Sequence, residues 1–127
     1  MSSAEWLKGE GTRREVLGTD HVDQATRSTT AFDAPFQDLI TASAWERVWS
    51  RTEISKRERS MITIALLAAL GHWEELAMHI RATQNTGATP DDVREALLHV
   101  AIYAGVPAAN QAIKVAKAAY KEMGIEV

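Results

Sequence analysis

Three ionisable side chains stand close together in the chain: His72, Glu75 and His79. On a helix Glu75 and His79, at i and i+4, can touch. A carboxylate beside an imidazole orients the ring and raises its basicity, which is how a general acid or base is commonly built. The same spacing serves a half-exposed surface ion pair, and spacing alone leaves both readings open. His72 suits the same site or a solvated helix start. At ~100° per residue all three fall within roughly 60° of one another. That edge lies between buried and exposed faces, where a cleft shifts pKa values. As a two-histidine, one-carboxylate metal site the trio fails on distance: His72 and His79 are ~10.5 Å apart along the axis, too far to share an ion at ~2.1 Å. No metal is expected.

Arg51, Arg57 and Arg59 precede an apolar run, and Arg81 lies just past His79. A guanidinium recognises carboxylates through a planar fork of donors, so these residues suit an acidic substrate; each also reads as a solvated helix-end residue. His21 sits in a polar connection, and His99 with Tyr103 stands at i and i+4. Trp45, Trp49 and Trp73 are core residues or pocket walls.

The elements that position these groups follow from capping and periodicity. Ser55 and Glu58 have the capping-box spacing, so a helix starts there. From Met61 to Leu70 no polar face survives, which predicts a central helix buried on most sides. A membrane span needs ~20 apolar residues, and Arg57, Glu58, Arg59, His72, Glu74 and Glu75 bound this run too closely. After a break at Gly71 the next helix runs from His72 to Thr86, stopped by Gly87, with Trp73, Leu76, Ile80 and Thr83 inward.

Ala4 to Leu17 reads as a polar first helix, weakened by Gly9 and Gly11 and expected to dock late or on a partner subunit. Thr19 to Thr30 is rich in Ser and Thr and reads as a loop and candidate lid. A helix through Asp38, Leu39 and Ile40 brings Trp45, Val48 and Trp49 to one side. Thr89, Pro90, Asp91 and Asp92 specify another helix start. The last helix runs from about Pro107 to Met123 and presents the small residues Ala109, Ala112 and Ala116 inward. No stretch alternates as a strand does. The expectation is an all-α single domain over residues 1–127, a bundle of about six helices.

Composition narrows the function classes. The chain has 127 residues, 46% hydrophobic and 24% charged, with a net charge of −3. Its scattered Lys and Arg argue against nucleic-acid binding. Nothing at Met1 to Trp6 reads as a signal or transit peptide, so a cytoplasmic protein with no membrane partner is expected. The absence of cysteine removes disulfides, thiolate metal sites and cysteine-based peroxidase chemistry.

Taken together, "REVLGTDHVD" from Arg14, "WERVWSR" from Trp45, "RERSMITI" from Arg57, "GHWEELAMHIR" from Gly71 and "LLHVAIYAGVPAAN" from Leu97 form a specific set. On these blocks the chain resembles the γ-carboxymuconolactone decarboxylases of the alkylhydroperoxidase D-like superfamily. Aligned on Gly71 and His79, the peroxidase relatives have a glutamate at Ser60, cysteines at His72 and Glu75, and a histidine at His79. Thiol chemistry is thus missing and the decarboxylase pattern remains. Glu46 stands where the family motif has glycine.

The resemblance implies an alkylhydroperoxidase D-like fold and cofactor-independent loss of CO2 from γ-carboxymuconolactone, a dicarboxylate lactone, giving 3-oxoadipate enol-lactone. It implies His79 and Glu75 as the catalytic residues. Arg59, Arg51, His21, His72 and Tyr103 would hold carboxylate or lactone oxygens. A homo-oligomer, a hexamer, is implied as well. The other readings are decarboxylation of a related lactone and a non-catalytic helical ligand-binding oligomer.

Overall fold

Helix boundaries in this chain fall where side chains or glycines can satisfy free backbone groups. Ser3 accepts a hydrogen bond from the Trp6 N–H and opens α1, Ala4–Leu17. Gly18 at φ 92° separates it from α2, Thr19–Ser28. Then come α3, Ala34–Ile40, which continues as a π-helical segment, Thr41–Trp49, and α4, Lys56–Leu70. The chain ends with α5, Trp73–Thr86, α6, Pro90–Tyr103, and α7, Val106–Glu122. This computed structural model describes residues 3–127, which are mostly helical with no strand among them. The chain groups into two compact units, Met1–Ser55 and Lys56–Val127.

In the first unit α1 packs on the π-helical segment, with α2 against α1 and α3 against the segment. The approach is close because Gly9 has no side chain: a Cβ there would lie 2.1 Å from the Thr41 carbonyl oxygen and 3.3 Å from the Glu46 Cβ. Glycine is therefore a packing requirement at this position rather than a weakness in the helix. An Arg47–Glu5 ion pair and a Thr12–Ser50 hydroxyl contact of 2.6 Å add to the same seam. Where an ordinary helix was expected, the turn widens. The Thr41 and Ser43 hydroxyls donate to the carbonyls of Gln37 and Leu39, at 2.7 and 2.6 Å, alongside the backbone ladder.

The first helix packs within its own unit, on the π-helical segment and α2. One expectation is corrected here. Residues 19–28 form α2, not a loop. Hydroxyls explain it: Thr26, Ser28 and Thr29 donate to the carbonyls of Val22, Gln24 and Ala25 one turn back, so a Ser/Thr-rich run is compatible with helix when its donors are spent inside it. Val22 is buried and anchors the inner side. The added helix takes the α-helices to seven among the described residues, against about six expected.

In the second unit α4 packs against α5, α6 and α7, and α7 also against α5 and α6. The core joins Ile64, Leu76, Ile80, Val93 and Leu97 to the alanines of α7. Ala109, Ala112, Ala116 and Ala119 have side chains short enough to allow close approach of the helices they pack on. Thr89 and Asp92 form a reciprocal capping box, with Pro90 in the first turn of α6. Gly87, at φ 87°, ends α5 with its N–H on the Thr83 carbonyl.

The expectation that α4 is buried on most sides is also corrected. Only Ser60, Ile64 and Ala68 are buried, while Ile62, Leu66 and Leu70 are 52%, 56% and 68% exposed. These three stand at i, i+4 and i+8 and form an apolar stripe that this chain leaves uncovered.

Candidate active site

The candidate site is built on α5. His72 is its N-cap residue, with φ −87° and ψ 77°, and its exposed side chain makes no capping bond. Glu75 is exposed in the first turn, where the positive end of the helix favours a carboxylate. One turn further on, His79 is only 7% exposed. Leu76 and Ile80 hold that face of α5 against the core and carry the imidazole inward with them. The expected edge is therefore graded in depth, with two solvent-facing groups near the helix start and one buried ring behind them.

Glu75 forms no hydrogen bond or ion pair among the described residues, so the carboxylate does not grip the His79 ring in this conformation. The arginines differ in their commitments. Arg57 is bound to Asp92 by two hydrogen bonds of 2.7 and 2.6 Å, which ties α4 to the start of α6. Arg81 lies 3.7 Å from Glu122. Arg59 is half-buried on α4. Arg51 follows the π-helical segment and lies 3.4 Å from Glu53. His21 is exposed on α2. His21 and Arg51 belong to the first unit; Arg59, His72, Glu75, His79 and Tyr103 belong to the second. Tyr103 ends α6, is 86% exposed and stacks on His99 with ring centroids 6.2 Å apart.

The structure adds a polar seam that the sequence reading did not assemble. His79, Thr83 and Thr86 stand at i, i+4 and i+7 on α5, and all three turn toward buried surroundings. Ser60 of α4, fully buried, meets Thr86 through a hydroxyl contact of 2.7 Å. The Thr83 hydroxyl donates to the Ile80 carbonyl at 2.5 Å. Near it Tyr120 is buried, and burial pushes its hydroxyl pKa up, with Thr83 acting in the opposite direction. The signal for this seam was the helical spacing of a histidine and two threonines inside an otherwise apolar stripe. A buried imidazole at the head of such a seam can hold or deliver a proton in a place that excludes bulk water.

Comparison with known proteins gives the family of the chain. The model of the carboxymuconolactone decarboxylase family matches residues 34–118. A 4-carboxymuconolactone decarboxylase of Acinetobacter baylyi is 43% identical over 120 residues, which cover 94% of this chain and 90% of that protein. A nitrosuccinic acid decarboxylase of Metarhizium robertsii is 38% identical over 116 residues, 91% of this chain and 81% of that protein.

Proposed function

Since the chain belongs to the carboxymuconolactone decarboxylase family, we propose that it removes CO2 from 4-carboxymuconolactone to give 3-oxoadipate enol-lactone, in the protocatechuate branch of the β-ketoadipate pathway. The protein is a carboxy-lyase. The near full-length likeness to a 4-carboxymuconolactone decarboxylase carries this choice of reaction.

The substrate supplies its own electron sink. Its leaving carboxylate is vinylogous to the lactone carbonyl. When the C–C bond to CO2 breaks, the electron pair moves through the ring double bond onto the carbonyl oxygen and leaves a furan oxyanion. A proton delivered to the carbon beside the carbonyl then gives the enol-lactone. The protein must stabilise the oxyanion, deliver that proton and keep the site dry, which requires no cofactor. His79 is the proton donor, favoured by its burial behind the start of α5. Glu75, exposed and uncommitted, suits a relay between solvent and the imidazole. Within the second unit Arg59, His72 and Tyr103 receive the carboxylate and lactone oxygens.

The substrate is thus a small dicarboxylate lactone. The working form is a homo-oligomer, a hexamer of alkylhydroperoxidase D-like subunits. The uncovered stripe of Ile62, Leu66 and Leu70 and the exposure of Tyr103 support an assembly in which neighbouring copies close these surfaces. No helix among the described residues is long and apolar enough to cross a membrane, and the proposed compartment is the cytoplasm.

The test is direct. Chelator-treated protein is mixed with freshly generated 4-carboxymuconolactone, and CO2 and enol-lactone are followed against an uncatalysed control. Metal-independent turnover of this lactone is the expected result. A folded protein that leaves it untouched would overturn the proposal. Nitrosuccinate serves as the comparison substrate, because its nitro group can also accept the electrons that CO2 leaves behind; preference for it would reassign the substrate within the same chemistry.

A further inference from the structure

Between α6 and α7 of the second unit lies a groove of about 650 Å³, within the size range of small-molecule sites, and none of the residues assigned above to the reaction lines it. The two helices are joined through Ala104 and Gly105 alone and run antiparallel. Val93, Leu97 and Ala116 close the floor, each 6% exposed or less. Leu98 of α6 and Ile113 of α7 stand on the rims, 51% and 45% exposed. A closed apolar floor between two half-bare apolar rims favours a ligand with an apolar body. Tyr120 also lines the groove, but its hydroxyl is shut off from solvent and offers such a ligand no hydrogen bond.

Charge decides the other end of that ligand. Arg94 and Lys117 are the cations of the groove. Arg94 is committed, its Nη1 donating to Asp91 and its Nε to Glu95, each at 3.0 Å. Lys117 makes no hydrogen bond or ion pair among the described residues, and neither do Lys114 and Lys121, which share its exposed face of α7 at i−3 and i+4. The α7 rim is therefore positive and attracts an anion. Helix direction sets how the anion lies. Ile113 stands one turn before Lys117 on α7 and Leu98 one turn after Arg94 on α6; in an antiparallel pair both steps lead the same way, so the two apolar rims lie together on one side of Lys117. Glu126, past the end of α7, and Thr89, at the start of α6, mark the opposite end, which keeps the acid away from the apolar rims.

We propose that this groove binds a small aliphatic monocarboxylate, its carboxylate at Lys117 and its apolar body, about one helical turn long, between Leu98 and Ile113. Binding here does not rest on the decarboxylation proposed above, and a failed titration leaves that reaction standing.

Calorimetric titration of the purified protein with hexanoate tests this, with hexan-1-ol, which lacks the carboxylate, and acetate, which lacks the apolar body, as controls. Hexanoate should bind saturably, one per chain. Hexan-1-ol should bind about fivefold more weakly, as should hexanoate to Lys117→Gln, which suits the loss of one ion pair at the edge of water. Acetate should bind at least about tenfold more weakly, for want of apolar surface to bury. Leu98→Asp, which sets an anion on the apolar rim, should weaken hexanoate by about tenfold. Lys117 is exposed, so Lys117→Gln decides the matter if Leu98→Asp fails to fold by circular dichroism. Absence of saturable hexanoate binding would overturn the proposal. So would hexanoate binding unchanged in the folded variants, as at any site elsewhere on the chain, or hexan-1-ol binding as tightly as hexanoate. A fall in mass by light scattering in folded Leu98→Asp would also overturn it, by giving the groove to a second copy of the chain.

Discussion

Gly9 faces the backbone of Thr41 so closely that a Cβ on it would lie 2.1 Å from the Thr41 carbonyl oxygen. Backbone cannot yield as a flexible side-chain tip can, so Gly9→Ala should cost about 1–3 kcal/mol by forcing α1 away from the π-helical segment. Gly11, two residues on in the same helix, has nothing within 4 Å of the corresponding point. There alanine should raise stability by up to about 1 kcal/mol through helix propensity alone. Urea unfolding of the two variants should move in opposite directions; a Gly9→Ala midpoint at or above wild type would contradict the packing account.

Asp92 should make the second unit acid-sensitive. Its carboxylate takes two hydrogen bonds from Arg57 and one from the Thr89 N–H, and these, Arg57 foremost, hold its pKa well below the usual carboxylate range. A carboxylate with a depressed folded pKa stabilises above its unfolded value of about 4 and loses that contribution as pH falls toward the folded value. Asp92→Asn should therefore be less stable than wild type at pH 7, with the gap narrowing as pH drops from 4 to 2. Thermal melts across that range read it directly, and a gap independent of pH would be the contrary result.

His79→Ala should reduce kcat on 4-carboxymuconolactone by about 10²–10⁴, the usual worth of a positioned proton donor. Glu75→Gln should reduce it less and alter its pH profile, as expected of a relay. Circular dichroism would establish that both variants fold. Near wild-type turnover in both would remove these residues from the mechanism.

Leu66 stands in the middle of the exposed stripe of α4. A charge there would stay solvated in a lone chain and be buried in an assembly. Leu66→Asp should therefore lower the mass measured by light scattering while leaving helicity intact. Wild-type protein that scatters as a single chain at micromolar concentration would end the oligomer proposal.

How much could be read beforehand depended on whether the decisive partner was local. The bounds of α5 and α6 were legible because Gly87, Thr89, Pro90 and Asp92 act on their own helix ends. The α2 helix was not, because Ser and Thr favour loops unless their hydroxyls bond one turn back, a choice made only in three dimensions. Apolar composition identified α4 as a helix but could not show that Ile62, Leu66 and Leu70 would be left uncovered. On α5 the spacing found Glu75 and His79, while their difference in depth came from the packing of Leu76 and Ile80.

The contact between Ser60 and Thr86 also sets the order in which this core can change over generations. Ser60 is wholly enclosed, whereas Thr86 keeps partial access to solvent. If the Thr86 hydroxyl is lost first, the serine is stranded in a dry place at about 1–3 kcal/mol. If Ser60 becomes alanine first, the threonine can still turn to water. Loss of both hydroxyls together is nearly neutral when the replacements keep the shape. Descendants with an apolar seam are thus reached by changing α4 before α5, and the reverse path is the one that selection closes.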